Sequence, residues 1–146
     1  MSAHSFQGRW ITDEEFAALP IRNVFHRQYQ PLELPCTEHR NRHILFRRSF
    51  TLEALPAQAL LYITADDYYK VWVNGHFAGQ GPAPCYCHRF QYNTLDITSL
   101  LQPGRNVLAV HTLYQGLINR VWVSCDNQHG LLCDLVADGR TLLCSD

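Results

Sequence analysis

Three groups of side chains in this sequence combine types and spacings that suit chemistry. Asp66-Asp67 is an acidic pair with strand-like sequence on both sides. Two adjacent carboxylates suit acid–base work or, with carbonyl oxygens, a calcium ion. They equally suit a turn, in which Asp side chains accept backbone N–H groups. Neighbouring strand residues point to opposite faces, so the expectation is the turn. Glu14-Glu15 instead complements a helix N-terminus. Cys85-x-Cys87-His88 offers thiolates and an imidazole, the ligands zinc accepts. A structural zinc site needs a second ligand pair, which the scattered Cys36, Cys125, Cys133 and Cys144 do not supply. The eight histidines form no metalloprotease-type pattern. His111 sits in strand-like sequence and reads as structural, while His39 and His43 read as solvated. Neither a metal site nor a cofactor is expected, and no catalytic residue is assigned.

The aromatic residues form the third group. Tyr68, Trp72, Tyr86, Tyr114 and Trp122 fall in or beside strand-like segments, with Asn74, Gln115, Asn119 and Arg120 close by. Sugars present apolar C–H faces that stack on rings, and hydroxyls that pair with amides and guanidinium groups. These nine side chains are the candidate carbohydrate-binding set. In Tyr68-Tyr-Lys-Val-Trp-Val73, alternation places Tyr69, Val71 and Val73 on the core face. Tyr68, Lys70 and Trp72 then lie outside, available to a sugar or to a neighbouring domain.

The elements that must position these residues are strands. From residue 44 the apolar pattern has a period of two. Ile44–Leu52, Ala59–Ala65, Tyr68–Val73, His76–Gly79, Arg89–Leu95, Val107–Tyr114, Val121–Cys125, Leu131–Ala137 and Thr141–Cys144 are the predicted strands. Asn74-Gly75 marks a hairpin, and Asp96–Leu101 a single helical turn capped by Asp96 or Thr98. Without amphipathic helices between strands, the pattern predicts an all-β fold, an antiparallel β-sandwich or jelly roll. Residues 1–43 form an irregular arm broken by Pro20, Pro31 and Pro35. One short helix is expected over Thr12–Leu19, capped by Thr12 or Asp13, with Trp10, Phe16 and Phe25 anchoring the arm as a lid or brace. Residues 1–146 read as a single domain.

Composition narrows the function. The chain has 146 residues, with Lys+Arg 12 against Asp+Glu 13, and the formal charge of -1 argues against a nucleic-acid partner. No apolar run reaches the roughly 18 residues of a membrane span. The opening residues lack a secretory pattern, so a cytoplasmic location with reduced, mostly buried thiols is expected. Eleven of the twelve cations are Arg; Lys70 is the single lysine.

Several segments carry a family resemblance. They are Ala65-Asp-Asp-Tyr-Tyr-Lys-Val-Trp-Val-Asn-Gly75, Gly79-Gln-Gly-Pro-Ala-Pro84, Leu95-Asp-Ile-Thr98 and Leu101-Gln-Pro-Gly-Arg-Asn-Val-Leu-Ala-Val110. Arg9–Asp13, Phe46–Phe50, Gln115–Ser124 and Gly130–Leu135 extend it. Together they resemble the N-terminal, galactose-binding-like β-sandwich domain of bacterial α-L-rhamnosidases and related glycoside hydrolases. Part of the pattern is also similar to the sugar-binding domains of β-galactosidases and β-glucuronidases. The Gly79–Pro84 segment and the Tyr114-Gln-Gly-x-x-Asn-Arg120 stretch favour the rhamnosidase group. The resemblance implies that catalytic carboxylates belong to a large α-helical barrel, of which these residues contain nothing. The chain therefore reads as an accessory domain, cut from a longer hydrolase and inactive alone, with the catalytic domain as partner. It would serve as scaffold or carbohydrate-binding domain; an autonomous carbohydrate-binding module is the alternative.

Overall fold

A computed structural model describes residues 3–22, 39–85, 89–117, 124 and 126–146. In chain order its elements are α1 (Glu14–Ala18), β1 (Arg42–Leu52), β2 (Ala59–Asp66), β3 (Tyr68–Val73), β4 (His76–Gly81) and β5 (Asn93–Asp96). A 3-10 turn (Thr98–Leu100), β6 (Gly104–Tyr114), β7 (Gly130–Ala137) and β8 (Arg140–Cys144) follow. The strands form two four-stranded antiparallel sheets, ordered β1-β6-β3-β4 and β5-β2-β7-β8. The fold is the expected all-β sandwich.

Alternation explains the core. Val71 and Val73 of β3, Leu61 and Ile63 of β2, and Leu135 of β7 are fully buried between the sheets, joined by Leu108 and Val110 of β6. Each large aliphatic side chain buried this way contributes about 1.5–3 kcal/mol. Asn74 and Gly75 both take positive φ, as the tight turn joining β3 to β4 requires. Asp96 Oδ1 accepts from the Thr98 N–H at 3.0 Å and starts the 3-10 turn as expected.

Several expectations need adjustment. The strand placed at Arg89–Leu95 is shorter and later, Asn93–Asp96, because only those residues pair with β2. β6 begins at Gly104 rather than Val107, since β1 pairs with it as far as Leu52↔Gly104. The strand predicted at Val121–Cys125 lies mostly outside the described residues, as does Phe25. The thiols are not uniformly hidden: Cys133 is buried, Cys144 half-buried and Cys85 exposed. Burial pushes the Cys133 thiol up to about 12.

The N-terminal arm is a brace. Asp13 caps α1 by accepting from the Phe16 N–H at 2.9 Å, and Phe16 is buried against Tyr114 and His129. Ile11 pairs with Leu131 through two hydrogen bonds of 2.9 Å. Asp134 projects from the outer face of β7, yet it is fully buried. The arm covers it: the N–H groups of Gln7 and Gly8 donate to its carboxylate at 2.8 and 2.9 Å, and His4 Nε2 lies 2.8 Å away. His4 stacks on Tyr62 at 3.8 Å. The described residues of the arm thus close the outer face of the second sheet; among the described residues, none of the arm before Arg42 lies over the outer face of the first.

Candidate functional site

Among the described residues, a groove of about 590 Å³ opens at the outer face of the first sheet and runs over its β4 edge, lined by residues of β1, β3, β4 and β6, by Pro82 and Ala83, and by Asn93 of β5 in the other sheet. The registers set its floor. Leu45, His111, Lys70 and Gln80 stand opposite one another across the four strands, and His43, Leu113 and Tyr68 form the adjacent row. His43 Nδ1 and His111 Nε2 are 2.7 Å apart, so one ring donates to the other. Burial, then the neighbouring His43 and Lys70, hold the His111 pKa below the ordinary imidazole value. At the far wall, the Tyr69 hydroxyl donates to Asn93 Oδ1 at 2.9 Å. Gly81 is required here, because a Cβ would lie 2.3 Å from that same oxygen. The groove is a half-buried tyrosine ring bordered by imidazole, ammonium and amide groups. It can stack against an apolar face and donate hydrogen bonds, and its lining among the described residues includes no carboxylate.

The sequence-derived candidates divide. Tyr68 lies in the groove, and Trp72 lies on the same outer face one position beyond Lys70, packed edge-on against Phe77 at 5.8 Å. The Asn74 amide is bonded within the protein. Its Nδ2 donates to Leu100 O and Asn106 Oδ1, and its Oδ1 accepts from Val107 N–H, so the amide clamps the hairpin to β6. Tyr114 is a core residue at 2 % exposure, with its hydroxyl accepting from Asn127 N–H at 3.0 Å. It continues the inward alternation of Leu108, Val110 and Thr112 along β6. Gln115 is half-buried and holds the Asp67 carboxylate through its backbone N–H at 2.7 Å. Tyr86, Asn119, Arg120 and Trp122 lie outside the described residues. His43 and Lys70 were not among the candidates; their juxtaposition with His111 depends on pairing between distant strands.

The acidic pair makes the expected turn: Asp66 ends β2 and Asp67, in the bend before β3, accepts from the Gln115 N–H. Period-two alternation stops there, so the two carboxyl groups also meet instead of diverging. Burial, then the charges of Asp67 and Asp126, push the Asp66 carboxyl up to about 9. It is therefore protonated at neutral pH and donates to Asp67. Burial also raises Asp67, against the bonds from Ser124, Gln115 and Asp66 that favour its ionised form. Asp67 Oδ2 accepts from Ser124 Oγ at 2.6 Å, and that hydroxyl accepts from Gly116 N–H at 2.9 Å. The cluster pins the segment after β6 onto the β2–β3 bend. Asp66 also borders a cup of about 380 Å³, but Trp10, Phe16, Leu19 and Ile21 of the arm supply much of its wall, making it part of the arm's seat. Among the described residues, no three His, Cys, Asp or Glu side chains are grouped to hold a metal ion. His39, expected to be solvated, is partly covered and lies 3.3 Å from Glu15 Oε1.

Comparison with known proteins fits this architecture. The sequence pattern described as Alpha-L-rhamnosidase N-terminal domain matches residues 54–132, more than half of the chain. The chain belongs to that family. Among solved structures, the GH78 family rhamnosidase of Bacillus sp. GL1 is 37% identical, with a TM-score of 0.65 over 73% of this chain and 11% of that one. The α-L-rhamnosidase of Aspergillus terreus is 28% identical, with a TM-score of 0.63 over 77% of this chain and 14% of that one. The Streptomyces avermitilis α-L-rhamnosidase, solved with L-rhamnose, is 27% identical, with a TM-score of 0.54 over 73% and 12%. No curated protein sequence matches the chain. This rhamnosidase N-terminal domain thus spans between 11% and 14% of the length of these enzymes. Among its described residues, no helix is long and apolar enough to cross a membrane.

Proposed function

We propose that this domain is the accessory carbohydrate-binding part of an α-L-rhamnosidase-like glycoside hydrolase, and that it holds sugar in the outer-face groove. The observation that carries this reading is the asymmetry of the sandwich. Residues 4–8 of the arm cover one outer sheet face, while among the described residues the other presents the Tyr68 ring within a polar border. Such a concavity, an aromatic face with a few convergent polar groups, is the usual composition of a sugar site. Bond cleavage would belong to carboxylates of a catalytic domain elsewhere in the parent protein. A scaffold role has its own support on the same face. Leu45 is 79 % and Phe77 55 % exposed, beside Trp72, where a solvated strand normally carries polar residues.

Calorimetric titration separates the two. Carbohydrate binding predicts saturable heat with at least one of L-rhamnose, galactose or glucose, abolished by Tyr68→Ala. The absence of heat with all three sugars at tens of millimolar overturns it and leaves the scaffold role.

A further inference from the structure

The electrostatics of the groove point beyond a generic sugar site. The chain as a whole has a net charge of -1, yet its single lysine stands on the groove floor. Lys70 is paired in register with His111, whose ring is bonded to His43. The titratable groups facing this point are His43 from β1, His111 from β6, and Lys70 and Tyr68 from β3, with the Asp67 carboxyl acting on Tyr68 from the bend before β3. β4 contributes the neutral Gln80. The positive charge of Lys70 therefore has no carboxylate opposing it among the described lining residues.

The histidine pair adds a proton-dependent donor. His43 Nδ1 faces His111 Nε2, so His43 Nε2 and His111 Nδ1 are the outer nitrogens. While both rings are neutral, one hydrogen is shared between them, and only one outer nitrogen carries a hydrogen. When the pair takes up a single proton, both outer nitrogens become donors and the pair becomes cationic. An anion lying beside Lys70 would favour that uptake, because it offsets the burial and like-charge repulsion that hold His111 in its neutral form.

We propose that the ligand of this groove is an acidic sugar, a pyranoside bearing a carboxylate, with the carboxylate held by Lys70 and the His43–His111 pair and the ring against Tyr68. The inference rests on the carbohydrate reading above and specifies its ligand class. Binding takes up a proton, so affinity for the acidic sugar rises as pH falls.

The test uses the full chain, with binding followed by isothermal titration calorimetry. Galacturonate, galactose and acetate are titrated at pH 7.5 and 5.5. Galactose has the same ring without the carboxylate, and acetate has the carboxylate without the ring. The expected result is galacturonate binding about tenfold tighter than galactose, as one charge-assisted contact supplies. Lys70→Gln should remove that advantage, and His43→Gln should flatten the pH dependence. Both positions are exposed, and an unchanged amide spectrum verifies the fold of each variant. Equal affinity for galactose and galacturonate overturns the acidic-sugar inference and leaves the carbohydrate reading intact. Acetate binding as tightly as galacturonate also overturns it, reducing the site to a bare anion site. Binding of no sugar overturns both.

Discussion

Asn106 tests how far the hairpin end of the sandwich depends on side-chain amides. It is fully buried and makes four hydrogen bonds. Nδ2 donates to Gln102 O at 2.7 Å and Gly104 O at 3.0 Å, while Oδ1 accepts from Gln102 N–H at 3.0 Å and Asn74 Nδ2 at 2.8 Å. Asn106→Ala removes all four. Each net bond is worth about 1 kcal/mol, and Gln102 is exposed enough to turn to water, so the expected loss is about 3 kcal/mol. For a chain of this size that corresponds to a melting temperature lower by about 6–12 °C. Urea unfolding followed by far-ultraviolet circular dichroism, with reductant present, measures it. Asn74→Ala loses three bonds and should cost about 2 kcal/mol. The double variant should fall short of the sum, because the two share one bond. A loss below about 1 kcal/mol for Asn106→Ala would refute the assignment of this network as structural. Asn74→Ala should also leave sugar affinity unchanged, since its amide is committed to the clamp.

Further outcomes follow from the arm and the carboxyl cluster. Asp66 titrates at about 9 when folded against 3.8 ordinarily, so its contribution is full below 3.8 and lost as pH rises through 9. Asp66→Asn keeps a donor toward Asp67, and its stability relative to the parent should increase from pH 5 to pH 9 in urea titrations; a constant difference would contradict the protonated assignment. His129 lies between Thr12 Oγ1 and Thr112 Oγ1, and burial pushes it down to about 4. Its contribution is present above the ordinary value of 6.5 and lost as pH falls through 4. The chain should therefore weaken across that interval, and His129→Gln should show a shallower acid slope. Phe16→Ala should cost about 3–5 kcal/mol and loosen the arm, which faster amide exchange at Leu131 would report. Gly81→Ala should break the Tyr69–Asn93 bond and lower sugar affinity more than stability, as paired titration and unfolding experiments would resolve.

Most of the sandwich was legible because strand alternation is a local property. Tyr69, Val71 and Val73 went inward and Tyr68, Lys70 and Trp72 outward as their spacing required. The Asn74-Gly75 turn and the Asp13 cap are equally local signals. The site was less legible, since it is assembled from pairings between distant residues. His43 and His111 meet only because β1 and β6 pair in one particular register. Alternation points Asp134 away from the core, yet His4, Gln7 and Gly8 of the arm bury it, a coverage between distant residues that no local pattern carries. Alternation also misled where a strand ended, bringing Asp66 and Asp67 together. Tyr114 is the opposite case: it continues the inward set Leu108, Val110, Thr112 of β6, so its burial follows from local alternation.

The most direct test of the account is a two-dimensional amide spectrum of the chain recorded during titration with L-rhamnose, galactose and galacturonate. The account predicts saturable shifts confined to the groove strands, at Tyr68, Lys70, Gln80 and His111, with the β7 amides under the arm unmoved. Saturable shifts centred on the arm and β7, or no shift with any of the three sugars, would contradict it.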